Sequence, residues 1–361
     1  MKFLRLAFYV LIAQLVLSGC AGEAVEETSS SSSSEINFDA YLARNASTRS
    51  EVTDNTHLKG TGGNSGFGVF ARYNYNGKIL SLLDTERVTW NKDQNHWEYT
   101  NTRYWPSEGS VDFYAFAPYS DQPKLVSPPN KNEANPTCIF FPSNVSPIDL
   151  VWANAKDQTK TNEPVKFTFN HALARLGFDI TANQDLEENG AVIKVKEVKL
   201  YGADEISGVF VMAGYLNLEN GAWTLADNGI RWFYTWTPDG KVDGNENVNE
   251  KDGTVLKLSA SQLDHEHDII TNDADSYIFI IPQVKYFPFY LQITYKVKQG
   301  DFEEEVTVRK NLLDVRNPPG DPNPSFSFEM GKAYVFHLKL SLDPINFNVT
   351  NDVEPWKGGE R

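Results

Sequence analysis

The chain has 361 residues, a formal net charge of −15 and a pI near 4.9. Nucleic-acid phosphates are bound by clustered Lys and Arg, so this balance argues against a nucleic-acid partner and against lying flat on an anionic membrane. Aromatic residues reach 13% and there are only 2 cysteines, so stability must come from apolar cores rather than from disulfides or thiolate metal clusters.

The N-terminus opens with Lys2 and Arg5, followed by an apolar run from Leu6 to Leu17. That run is shorter than the ~20 residues a membrane-spanning helix needs. Basic residues before it and small residues after it read as an export signal. Leu17-Ser18-Gly19-Cys20 resembles the lipobox of bacterial lipoproteins, in which the signal is cut before the cysteine and the thiol is acylated. Residues 1–19 are therefore expected to leave, with Cys20 as the lipidated first residue of the mature protein. Residues 20–35, with six serines from Ser29 to Ser34, read as a flexible tether. Glu23, Glu26 and Glu27 place negative charge just beyond the anchor.

From residue 36 on, short apolar or alternating segments predict strands. They begin with "INFDAYL" (36–42), "GFGVFARY" (66–73), "RVTW" (87–90), "HWEYT" (96–100) and "VDFYAFAP" (111–118). "CIFF" (138–141), "DLVWA" (149–153), "VKFTF" (165–169), "ARLGFDIT" (174–181) and "VKEVKLYG" (195–202) follow. The series closes with "GYLNL" (214–218), "VLKLSA" (255–260), "SYIFIIP" (276–282), "FYLQITYKV" (289–297), "FEEEVTVRK" (302–310) and "AYVFHLKL" (333–340). Turn pairs such as Asn76-Gly77, Asn220-Gly221 and Asp239-Gly240 punctuate them. Many short strands with regular turns predict antiparallel sandwiches. The longest helical expectation is a single turn in "NHALARLG" (170–177). The polar stretch 154–164 suggests two domains, 36–160 and 161–361.

In "YWPSEGSVDFYAFAP", Pro106 and Gly109 should turn the chain. Phe113, Ala115 and Ala117 then face one side and Tyr114 and Phe116 the other, which predicts a central strand buried on both faces. Trp90 and Trp105 should join that core, whereas Trp97, Trp223, Trp232 and Trp236 are candidates for exposure. "RWFYTW" (231–236) is the densest aromatic run, so Trp232 and Trp236 are the best candidates for a ligand surface.

In order along the chain, "INFDAYLARNASTRSEV", "FGVFARY", "WEYTNTRYWPSEGSVDFYAFAP", "DLVWANAKD", "VKFTFNHALARLGFDI" and the closing "FEMGKAYVFHLKLSLDPINFNVTNDVEPWKGG" resemble the fimbrillin superfamily of surface lipoproteins. The resemblance implies an all-β protein of two antiparallel Greek-key, transthyretin-like β-sandwich domains. It implies a lipid-anchored pilus subunit or pilin-like adhesin on the outer-membrane surface. Its partners would be other fimbrial subunits, joined by donor-strand exchange, and a host-surface glycan or protein. In such proteins an Arg-specific protease cuts after the first strand, and a neighbour's strand refills the groove by β-augmentation. Carried onto this sequence, the displaced strand holds Ile36, Phe38, Ala40 and Leu42 on one face, and the cut falls after Arg49 or after Arg44. The alternative is a non-polymerising lipoprotein that binds glycans through exposed aromatics. Near the C-terminus, Ile345, Phe347 and Val349 alternate, as a donor strand would or as the last strand of the second domain would.

Catalytic and metal signatures are sparse. His265 and His267 in "DHEHD" (264–268) lack an evident third ligand. "DGKVDGNENVNE" (239–250) matches part of a calcium loop, but Lys241 stands where an oxygen ligand belongs. The sequence carries neither G-x-S-x-G nor H-E-x-x-H. The loop "GTGGNSGFG" (60–68) has no P-loop lysine, and Cys138 lies in an apolar run. No enzyme, metal or cofactor is expected.

Overall fold

The structure, a computed structural model, describes residues 34–42, 55–142, 148–182, 190–203, 208–226, 231–240, 253–258, 262–263, 269–270, 278–315, 321–341 and 348–355. The fold is all-β. Its first nine strands are β1 (Phe38–Leu42), β2 (Phe67–Tyr75), β3 (Lys78–Asn91), β4 (His96–Tyr99), β5 (Ser110–Ala117), β6 (Leu125–Val126), β7 (Cys138–Pro142), β8 (Val151–Gln158) and β9 (Val165–His171). A short helix, α1, spans Asn55–Leu58. No alternation in the sequence announces it.

Seven of these strands form one sheet in the order β1-β9-β8-β5-β2-β3-β4. The predicted Asn76-Gly77 turn joins β2 to β3 with both residues at positive φ, 49° and 73°, which suits the twist of a tight hairpin. Strand β5 sits in the middle and is buried on both faces, as its sequence predicts. Phe113, Ala115 and Ala117 enter one apolar cluster with Trp97 and Trp105, while Tyr114 and Phe116 enter another with Phe70 and Trp152. Gly109 turns the chain ahead of it at φ 81°, where an added Cβ would lie 2.3 Å from the Asn74 carbonyl oxygen. Although β9 follows the polar stretch 154–164, it belongs to this sheet, and the chain leaves the sheet only at His171.

The remaining strands are β10 (Ala174–Ala182), β11 (Val192–Tyr201), β12 (Phe210–Val211), β13 (Ala213–Asn217), β14 (Trp223–Leu225), β15 (Arg231–Thr237), β16 (Gly253–Lys257) and β17 (Gln262–Leu263). They continue as β18 (Ile269–Ile270), β19 (Ile278–Ile280), β20 (Gln283–Lys285), β21 (Tyr290–Gln299), β22 (Phe302–Asn311), β23 (Phe326–Phe328), β24 (Lys332–Leu340) and β25 (Asn348–Pro355). Two larger sheets, one built on β10-β24-β25 and one on β12-β15-β11-β21-β22, enclose a core that includes Phe178, Trp236, Phe289, Phe326 and Phe336. Strands β13 and β14 pair with β7 and β6 instead. Ile139 and Leu216 of that four-stranded sheet share the cluster of Phe70 and Phe116 on the outer face of the first sheet. The region 170–177, where the sequence allows one helical turn, runs instead from the end of β9 directly into β10.

Pairing is not purely antiparallel. Strands β1/β9, β10/β24 and β15/β16 run parallel. A parallel pair needs a long crossover, and more than a hundred residues separate β1 from β9. On the outer sheet face, Lys296 meets Glu303 at 2.6 Å and Lys196 meets Glu305 at 2.7 Å, the charges that protect the β22 edge. Strand β25 pairs antiparallel along β24, from Lys339↔Asn348 to Lys332↔Pro355. Val349 is thereby held in the last strand of the C-terminal half, and Ile345 and Phe347 lie outside the described residues.

Candidate functional site

The first strand follows its alternation without a break. Ile36, Phe38, Ala40 and Leu42 are buried, while Asn37, Asp39 and Tyr41 face outward. Phe38 is the centre of the inward row. Its ring stacks on Phe167 at 5.7 Å and meets Tyr99, Phe113 and Phe67 at 5.3, 5.8 and 6.5 Å. One side chain of an edge strand thus contacts rings from β9, β4, β5 and β2.

The strand lies parallel to β9 in the register Phe38↔Val165 to Leu42↔Phe169, and Val165 N donates to Asn37 O at 2.8 Å. Its opposite edge is held at the two ends. Near the start, Ile36 N donates to Arg103 O at 2.8 Å, Trp105 N donates to Ser34 O at 3.0 Å, and the Tyr99 hydroxyl donates to Ile36 O at 2.7 Å. The same hydroxyl accepts Arg103 N at 3.0 Å. At the far end Leu42 N donates to the Asn55 side chain at 2.9 Å. Residues 103–105 follow β4, the other border of the sheet. The bonds to Ser34 and Ile36 therefore bring the two borders together and roll the sheet around its core. On the outer side, Thr168 Oγ1 donates to the Tyr41 hydroxyl at 2.7 Å.

Sequence reasoning identified the inward row of β1 but missed Tyr99, Arg103 and Asn55. The only sequence signal for Tyr99 is its place in "HWEYT", two residues after a tryptophan on the same strand face.

Cys20, Arg44 and Arg49 lie outside the described residues, as do His265, His267 and most of the 239–250 loop. Among the described residues, no group of three His, Cys, Asp or Glu side chains converges as a metal site. The tryptophans require a correction. Trp236 is fully buried, with its ring 5.0 Å from Phe178 and perpendicular to it, so it offers no surface to a ligand. The reason is its face of β15: Trp236 shares an inward row with Tyr234, which is also buried. Trp97 is buried as well, against Phe67 at 5.0 Å, and Trp223 is half-buried with its indole N–H donating to Ala172 O at 2.7 Å. The Trp232 backbone pairs with Phe210, and its side chain lies outside the described residues.

The chain matches the family described as fimbrillin-like over residues 48–356. This chain belongs to the fimbrillin-like family. Among solved structures, a fimbrial protein from Bacteroides vulgatus has 19% identity and a TM-score of 0.61, covering 90% of this chain and 99% of its own. A candidate cell adhesion protein from Bacteroides uniformis has 15% identity and a TM-score of 0.48, with 91% of this chain and 100% of its own covered. The tip fimbrial protein Mfa3 from Porphyromonas gingivalis, with a C-terminal truncation, is more distant: 11% identity, TM-score 0.34, coverage 80% and 93%. At these identities the Bacteroides vulgatus structure supports the fold of this fimbrillin-like chain. No curated protein sequence matches it.

Proposed function

We propose that this protein is a cell-surface fimbrial subunit, exported as a lipoprotein on Cys20 and assembled with other subunits by β-strand exchange. After an Arg-specific cut at Arg49 or Arg44, β1 leaves, and a strand from a neighbouring subunit takes its place beside β9. The supporting observation is that β1 is a border strand of its sheet whose whole inward row completes an aromatic core. Burying side chains of the size of Ile36, Phe38 and Leu42 stabilises by roughly 2 kcal/mol each. That sum reaches the lower end of the net stability of a whole domain. An emptied groove would therefore be refilled rather than left open, which is the thermodynamic basis of exchange. The lipid anchor and tether would hold the subunit at the outer-membrane surface until it is cut. Trp236 lies in the core, so the reading of a non-polymerising glycan binder loses one of the two tryptophans it named, and the side chain of the other, Trp232, lies outside the described residues.

Incubating the purified protein with an Arg-specific protease tests this. Mass spectrometry should show a cut after Arg49 or Arg44, and heat-stable oligomers should follow on unboiled gels. A protein that resists the cut, or that is cut and stays monomeric, would refute strand exchange.

A further inference from the structure

The hydrogen bonds on the outer edge of β1 and of the residues leading into it, 34–37, are distributed unevenly. Three cluster at the start: Ile36 N to Arg103 O, Trp105 N to Ser34 O, and the Tyr99 hydroxyl to Ile36 O. At the other end there is the bond from Leu42 N to the Asn55 side chain. Between them, among the described residues, no strand pairs with this edge, because β1 is the border of its sheet. In a parallel ladder, alternate residues direct both main-chain groups to the same side. Asn37 O accepts from Val165, so Asn37, Asp39 and Tyr41 serve β9, while Phe38 and Ala40 direct theirs toward the edge that no strand covers.

From this asymmetry we infer that Tyr99, with the main chain of Arg103 and Trp105, is a clasp that makes removal of β1 directional. The strand peels from Leu42 toward Ile36 and stays captured at Ile36 until the clasp opens. This rests on the strand-exchange reading and adds a regulatory step to it. A cut beyond Leu42 frees the weakly held end first. The cut subunit keeps its core closed through the clasped end while an incoming strand starts at the Leu42 end, beside Phe169. Tyr99 is suited to the role because its hydroxyl both donates to Ile36 O and accepts from Arg103 N, and its ring lies 5.3 Å from Phe38. It reads the presence of β1 through one polar contact and one apolar contact. Burial holds the phenol above its usual range, against the opposing Arg103 N–H, so it remains a neutral donor.

Hydrogen exchange on the uncut protein is the direct test. The Ile36 amide should be protected roughly tenfold more than that of Leu42, the effect of about two surplus hydrogen bonds. Tyr99→Phe keeps the ring and removes the hydroxyl. It should lower protection at Ile36 by roughly threefold or more and leave Leu42 unchanged. Tyr41→Phe, which removes the contact to Thr168, should instead act near Leu42. Equal protection at the two ends, or a Tyr99→Phe protein with an unchanged pattern, overturns the clasp. In the Arg-protease-cut protein, Tyr99→Phe should speed release of the cut segment by a similar factor, and equal release rates overturn the gating role. A protein that cannot be cut, or that never releases the segment, refutes strand exchange itself. The exchange pattern of the uncut protein still decides for or against the clasp.

Discussion

Asp149 and His171 form a buried pair, with Oδ1 of the carboxylate 3.0 Å from Nδ1 of the imidazole and side-chain exposures of 0% and 7%. The pair ties the segment before β8 to the last residue of β9, where Ala172 N also donates to Leu150 O at 2.8 Å. It therefore fixes the strand beside which β1 lies. Removing one member of a buried polar pair leaves the other desolvated, at a cost of about 3 kcal/mol. Asp149→Ala and His171→Ala should each lower stability by about that amount, and the double variant by less than their sum. Urea denaturation of the four proteins checks this: the midpoints shift and the slopes stay constant. Additive losses would mean that the two side chains stabilise the fold independently.

Much of this architecture was legible in local pattern. The inward row of β1 and the two-faced burial of β5 both follow from alternation, which depends only on the pleat of a strand. The Asn76-Gly77 hairpin follows from backbone sterics. What pattern cannot show is which strands become neighbours. The pairing of β1 with β9 joins distant segments, and nothing in "INFDAYL" indicates that its partner runs parallel. The clasp was hidden for the same reason, since Tyr99 and Arg103 reach Ile36 only because the sheet rolls up. "RWFYTW" shows the related limit. Its alternation places Tyr234 and Trp236 on one face, but only the packing partner, here Phe178, decides whether that face is core or surface.

The aromatic residues divide into core and surface in a way that mutation can test. Trp236 is fully buried, whereas Tyr286 and Phe287, in the loop between β20 and β21, are 66% and 71% exposed. Trp236→Ala should cost about 3–5 kcal/mol through lost burial and the cavity left behind. Phe287→Ser should stay within about 0.5 kcal/mol, as surface changes do. Thermal or urea unfolding of both variants separates the two cases. If Trp236→Ala kept wild-type stability, Trp236 would not be part of the core.

Cys138 gives a pH-dependent readout of the middle of the fold. Burial pushes its thiol up to about 11, with Glu133 adding to the effect and Lys131 opposing it. The folded state therefore retains the proton more tightly than the unfolded chain, whose thiol titrates near ~8.5. The associated stability is fully present below that unfolded value and is lost as pH rises through about 11. Since the thiolate is the nucleophile, iodoacetamide at pH ~8.5 should modify Cys138 slowly in the native protein and rapidly in guanidinium. Peptide mapping would distinguish it from Cys20. Rapid native labelling would show that β7 opens readily from β13.

The last strand is held by a polar bridge across three strands. His337 on β24 places Nδ1 2.8 Å from the Asp179 carboxylate on β10, and Nε2 lies 3.2 Å from Asp352 Oδ2 on β25. The bridge is open to solvent, with Asp352 72% exposed, so its contribution to global stability should be about 0.5 kcal/mol or less. Its effect should be read locally, because β25 borders its sheet, has β24 as its only strand neighbour among the described residues and can open before the rest. Asp352→Ala and His337→Ala should speed amide exchange in 348–355 about twofold while leaving the urea midpoint nearly unchanged. Val349→Ala removes a buried side chain from the same strand and should lower the midpoint itself, through a stability loss of about 2 kcal/mol. If His337→Ala moved the midpoint as far as Val349→Ala, β25 would be an integral member of the C-terminal core. The predicted separation would instead mark it as a strand that opens on its own, ahead of the sheet it borders.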